Sequence, residues 1–254
     1  MKKLMCAAAA LIAGVAVADV TSANIVGYAK KAATSNLNFY APQFVTIGYN
    51  TIDIQDIELK DDAGMIGYGD SLQIVGPLGS ANAMYSYWIS AMDPTGTVKK
   101  DFYWADDTLA PVAVSLDRAD SVAVDNAALI DFQLSNAGEV VDEDVSIAAE
   151  ANLNWLGNPF SSDVSIQNIE LKDASGLVGW GDSLQIVGPL GSAQEMYSYW
   201  SSAMDTTGSV KKDFYWANDD FSPAERMLKP GEGFAIDNAA QMEFDVIIKC
   251  PYSL

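Results

Sequence analysis

Along this chain the apolar residues recur with the period of strands. Runs such as Ile25 to Ala29, Ser71 to Val75, Ala83 to Ala91, Val98 to Ala105, Ser121 to Val124 and Leu129 to Leu134 alternate or are rich in β-branched and aromatic residues. Clusters of Gly, Pro, Asn and Asp separate them, the punctuation that a sandwich or barrel requires. A helical period shows only as one turn at Ile54 to Lys60 and again at Ile166 to Lys172. The pattern predicts an all-β fold.

The second regularity is a repeat. Ile57 to Thr108 returns 112 positions later as Ile169 to Asp220 with about forty of fifty-two positions identical, the mark of a duplicated unit. Asp125-Asn126-Ala127-Ala128 recurs as Asp237-Asn238-Ala239-Ala240, and Leu37-Asn38-Phe39 aligns with Leu153-Asn154-Trp155. Two tandem β-sandwich-like (or jelly-roll-like) domains are expected, at 19–137 and 138–254. They meet near Ala137 to Val145 without a Gly, Ser or Pro tract, which predicts packing of one on the other. Identity is uneven. It is about three-quarters within the block and about one-third between Leu109–Phe132 and Phe221–Phe244. Either gene conversion kept the block alike, or the block makes the same contact in both halves.

Comparing the copies also assigns faces. Asp93-Pro94-Thr95-Gly96 reads as a three-residue hairpin loop with a left-handed Gly, pairing Asp93 with Thr97. Counting back, Trp88 faces Phe102, Ser86 faces Trp104 and Tyr87 faces Tyr103. Ala83 becomes Glu195 and Ile89 becomes Ser201 in the second copy, changes a buried face tolerates poorly. Met84, Trp88, Val98, Phe102 and Trp104 are thus expected in the core. Tyr85, Tyr87 and Tyr103, with Tyr197, Tyr199 and Tyr215, are expected to face out, beside Asp101 and Asp213. Such a platform suits either sugar rings, which stack on aromatic faces while carboxylates bond hydroxyls, or a protein contact.

Composition narrows the chemistry. Lys2 and Lys3, an apolar run from Leu4 to Val15 and Ala16-Val17-Ala18 read as a secretory signal peptide over 1–18, too short to be a transmembrane anchor. The chain carries a formal charge of −20, and loss of the two lysines takes it to −22. That charge argues against nucleic acid and against electrostatic docking on membranes. With no His, Ser–His–Asp and Cys–His systems and His-based metal sites are excluded, and no enzyme is expected. No cofactor is expected; calcium is the metal that Asp106-Asp107, Asp142-Glu143-Asp144 or Asn218-Asp219-Asp220 could take, although none has the spacing of a calcium-binding loop. Cys6 leaves with the signal, so Cys250 can pair only with another chain or be buried.

Three segments carry a resemblance: Ser22-Ala23-Asn24-Ile25-Val26-Gly27-Tyr28, Leu156-Gly157-Asn158-Pro159-Phe160, and Leu228 to Ile236 with its Pro230-Gly231-Glu232-Gly233-Phe234. They resemble a family of uncharacterised bacterial secreted β-rich proteins with an ANIVGY-like start, an (A)NPF segment and a PGxGF motif. Ala41-Pro42-Gln43-Phe44 and Leu116 to Ser121 depart from that pattern. The resemblance implies a β-rich fold and an exported product, and no mechanism. The expected function is therefore a non-enzymatic surface or extracellular-matrix protein, secreted or at the cell surface. It would act through repeated contacts with itself or with other surface proteins. The alternative is a bivalent binder of extracellular glycans.

Overall fold

A computed structural model of the protein describes residues 26–33, 36–60, 71–75, 81–126, 132–173, 183–187, 193–238 and 241–252. The expected signal peptide and Ser22 to Ile25 of the first motif lie outside the described residues. The fold is all-β. The first half holds β1 (Val26–Ala32), β2 (Asn36–Tyr40), β3 (Phe44–Val45), β4 (Ile52–Asp53), β5 (Glu58–Lys60), β6 (Ser71–Val75), β7 (Ala81–Ile89), β8 (Phe102–Ala105), β9 (Ser115–Leu116), β10 (Val122–Asn126) and β11 (Gln133–Val140). The second holds β12 (Val145–Ala148), β13 (Asn152–Gly157), β14 (Val164–Ser165), β15 (Ile169–Lys172), β16 (Ser183–Val187), β17 (Ala193–Ser201), β18 (Phe214–Ala217), β19 (Met227–Leu228), β20 (Gly233–Asn238) and β21 (Asp245–Ile248).

Each half builds the same five-stranded sheet, in the order β2-β10-β6-β7-β8 and β13-β20-β16-β17-β18. Beside it lies a smaller sheet, β1-β11 with β3 and β5 on the far edge of β11, or β12-β21-β15. The helical turns appear as single 3-10 turns at Ile54–Asp56 and Ile166–Asn168. Their glutamines have a structural task. The Gln55 side-chain amide donates to the carbonyls of Trp104 and Val112, both at 2.8 Å, and its Oε1 accepts from the Trp104 amide at 2.9 Å. Gln167 does the same for Trp216 and Ala224. Together with the following segment, whose Val112 or Ala224 amide donates to the same Trp104 or Trp216 carbonyl, that side chain occupies the outer edge of β8 or β18, groups that would otherwise invite another strand.

The hairpin register differs from the expected one. β7 and β8 pair Tyr87 with Trp104 and Trp88 with Tyr103, one residue away from the count made from the turn. Asp93 is the cause. Its carboxylate takes the amides of Thr95, Thr97 and Val98 at 2.7–2.9 Å, so residues 93–98 form a loop closed around a side chain. The ladder continues only to the bond from Ser90 N–H to Asp101. Gly96 does adopt the left-handed conformation, φ 66°.

A slip of one residue exchanges faces. Tyr87 and Trp104 now share the core face, with rings 4.7 Å apart, and Tyr87 stacks on Phe102 at 5.7 Å. Trp104 and Trp216 are fully buried, each donating its indole N–H to a carbonyl, Ile57 or Ile169. Met84, expected inside, is more than half exposed, as is its copy Met196, and Trp88 and Val98, also expected inside, are half-buried.

The halves meet in a tight seam. The Ala41 amide donates to Gly231, and the Gly157 amide to Ala119, with Tyr40 bridging to Glu232 and Leu156 to Asp120. Phe39 stacks on Trp155 at 4.9 Å. Glycines make the approach possible: a Cβ on Gly157 would lie 2.4 Å from that of Ala41, and one on Gly233 would lie 2.6 Å from Ser121 Oγ. One hydrophobic core runs through residues of both halves, including Tyr40, Val122, Leu156 and Phe234.

Candidate functional site

The sequence block shared by the two halves supplies β5 to β8 and β15 to β18. These strands reach the edge of each five-stranded sheet opposite β2 or β13, which carry the seam. Four strand spacings, about 19 Å, separate the two edges. The divergent segments, by contrast, supply the seam residues Ala119, Asp120, Ser121 and Gly231 to Gly233. The step in identity thus coincides with two different surroundings.

On the outer flank of the second half, a cleft of about 470 Å³ opens between the 3-10 turn, β15 and the start of β18. Alternation along β15 sends Ile169 and Leu171 into the core and leaves Glu170 and Lys172 at the cleft. Lys212, Asp213 and Phe214 form the opposite wall, and the buried Tyr199 stacks under Phe214 at 5.7 Å. Glu170 accepts Lys172 at 3.0 Å, with Lys212 and Lys249 each 3.8 Å away. Burial works against its ionisation, but the Lys172 hydrogen bond and the three ammonium charges outweigh it, so its pKa lies below the ordinary carboxylate value. Burial pushes the Tyr199 hydroxyl up to about 12.

All nine residues lining this cleft are identical in the first copy, where Gln55, Glu58, Lys60, Tyr87, Lys100, Asp101 and Phe102 take the corresponding places. There Lys60 meets Glu58 at 2.5 Å and Lys100 meets Asp56 at 3.1 Å. A half-buried phenylalanine face ringed by carboxylate, ammonium and amide groups can dock polar or zwitterionic surfaces. Among the described residues, the carboxylate raised furthest toward neutrality is Asp120, at about 6 through burial, and it sits in the seam.

The expected tyrosine platform requires correction. Tyr87, Tyr103, Tyr199 and Tyr215 are 2–6% exposed, and only Tyr85 and Tyr197 are half-exposed. Tyr103 lies on the sheet face opposite Trp104, yet the 106–110 loop covers it, with its hydroxyl donating to the Leu109 carbonyl at 2.7 Å; Tyr215 does the same to Phe221. Tyr197 donates to Glu195 at 2.6 Å, and Arg226 joins Glu195 to Glu232, a cluster that Ala83 and Val114 cannot form in the first half. Asp101 and Asp213 remain exposed, as expected. Gln167, Glu170, Lys172, Lys212 and Phe214 were not anticipated as site residues. Their retention in both copies was the available signal.

The acidic loops are turned to structural use. Asp106 caps Thr108 and Ala110, Asp220 caps Ser222, and Asp144 binds Lys249 and the Cys250 amide. Among the described residues no cluster of three or more acidic or cysteine side chains is placed to hold a metal. Cys250 is half-buried, with its thiol donating to the Tyr252 carbonyl at 3.0 Å. The later motifs prove to be neighbours. Asn158 receives the Gly231 amide on its carbonyl and ties its side chain to Ser162 and Leu228, closing the turn that buries Phe160. No helix among the described residues is long and apolar enough to cross a membrane. No family model, curated protein or solved structure matches the chain.

Proposed function

We propose that this chain is a non-enzymatic, exported surface or matrix protein that works through two equivalent contact faces, one on each half. The observation that carries the reading is the location of the shared block. It reaches the sheet edge opposite the seam strands in each half and carries the same cleft-lining residue types there twice, while the seam segments have diverged. Two identical faces on one body engage repeated partners, whether further copies or other surface proteins, and gain avidity from being linked.

The test is electron microscopy and size exclusion of residues 19–254 beside a variant carrying Asp101→Lys and Asp213→Lys. Both residues are exposed, so the fold is retained. Larger assemblies in the native protein, reduced in the variant, support the reading; a monodisperse monomer at every concentration overturns it. A glycan reading draws on one feature, the half-buried Phe102 and Phe214 rings beside Asp101 and Asp213. Glycan-array binding that Phe102→Ala and Phe214→Ala abolish would favour it over assembly.

A further inference from the structure

Although β8 and β18 have their outer edges occupied by Gln55, Gln167 and the segments that follow, two equivalent strands elsewhere keep theirs open. β1 pairs only with β11, and β12 pairs only with β21, among the described residues. The bonds from Ala33 N–H to Phe132 and from Ala149 N–H to Phe244 fix the phase of each ladder. In an antiparallel pair, hydrogen-bonded positions alternate with positions whose amide and carbonyl point away. The outward positions are therefore Val26, Tyr28, Lys30 and Ala32 on β1, and Ser146 and Ala148 on β12. All six are exposed.

The space beside β12 is shaped. A groove of about 480 Å³ runs along residues 144–148 and is walled on its other side by Asn50, Asp117 and Arg118 of the first half. Arg118 is already engaged, with Glu143 and with Asn50 Oδ1 at 3.0 Å. Asp144 is paired with Lys249 and Glu143 with Arg118, which leaves Asp117 on the wall and Asp142 before it to make the groove net negative. β1, in contrast, carries the exposed Lys30 and no acidic residue, in a chain of net charge −20, while the neighbouring Lys31 turns inward to the Phe39 and Gly231 carbonyls.

We propose that copies of this chain join head to tail by strand addition, the free edge of β1 in one copy entering the groove beside β12 in the next. This rests on the self-association reading above and adds to the outer clefts a second, separate contact between copies. Backbone hydrogen bonds along both edges hold the joint, and lysine against aspartate sets its direction. The two surfaces differ, so the contact does not close on itself. It propagates as an open chain that displays the outer clefts at intervals.

Proline tests each edge separately, because Tyr28→Pro and Ser146→Pro delete outward amides that neither strand uses in its own sheet. Sedimentation velocity of residues 19–254, with the cleft contacts already weakened by Asp101→Lys and Asp213→Lys, is predicted to show each proline variant as a monomer, with circular dichroism unchanged. An equimolar mixture should give dimers and nothing longer, since one variant keeps β12 and the other keeps β1. Should either proline variant misfold, Lys30→Glu should weaken self-association at least tenfold, and Asp117→Lys on the neighbouring copy should restore it. If native protein assembles while both proline variants assemble equally well, or their mixture stays monomeric, the strand-addition joint is wrong and the self-association reading stands. A monomeric native protein overturns both.

Discussion

Gly231 offers a direct measure of how firmly the two halves are joined. Its φ of +69° is one that a side chain disfavours, and a Cβ there would lie 2.2 Å from Gln43 Nε2 and 3.0 Å from the Tyr40 ring, both in the other half. Gly96 is the control. Its φ is +66°, and nothing lies within 4 Å of a Cβ built on it. Ala at either position carries the left-handed penalty of about 1 kcal/mol. That penalty is tolerable, since Ala119, the counterpart of Gly231 in the first half, holds a φ of 69° as alanine. Gly231→Ala adds overpacking against a buried amide, about 1–3 kcal/mol more. Urea denaturation should therefore give a loss of about 1 kcal/mol for Gly96→Ala and about 2–4 kcal/mol for Gly231→Ala. Combining Gly231→Ala with Gln43→Ala should recover about 1 kcal/mol or more relative to the sum of the single losses. Equal losses at the two glycines, with no coupling to Gln43, would refute a seam packed in this way.

Three further outcomes follow from the core and the loops. Trp104→Ala and Trp216→Ala should each cost about 3–5 kcal/mol, and Met84→Ser less than about 0.5 kcal/mol, by urea or thermal melts. Tyr103→Phe removes only the hydroxyl bonded to Leu109 and should cost about 1 kcal/mol, with exchange of the amides around 106–110 speeding up. Burial raises Asp120 from 3.8 to about 6, so the folded protein holds this proton more tightly than the unfolded chain does. Its contribution is greatest below about pH 4 and is lost as pH rises through 6, a fall of roughly 2–3 kcal/mol; Asp120→Asn should abolish that slope and stabilise the protein at pH 7.5.

Strand content, the single helical turns and the left-handed Gly96 were legible because they follow from local spacing. Register was not. Asp93 was assigned a place in the ladder, but its carboxylate gathers three loop amides instead, and a displacement of one residue turned Tyr87 inward. Tyr103 was misplaced for a different reason, since the loop that covers it comes from later in the chain and bends through Leu109 at a φ of 63°. Period-2 reasoning treats an outward side chain as solvated, and a folded-back loop defeats it. Asp101 and Asp213 were placed correctly as exposed residues. The lysines and Glu170 around them were hidden because charged residues in a repeat read as ordinary surface until the fold sets them around one cleft. The identity step along the repeat was visible from the start; its meaning required knowing that the divergent stretch lines the seam.

The account stands or falls on self-association of a two-faced body. Sedimentation velocity of residues 19–254 over a hundredfold concentration range, at physiological ionic strength, tests it most directly. The account predicts a sedimentation coefficient that rises with concentration as species beyond the dimer appear, and that falls back when Asp101 and Asp213 are both replaced by Lys. A single species at monomer mass throughout, unchanged by those substitutions, would contradict it.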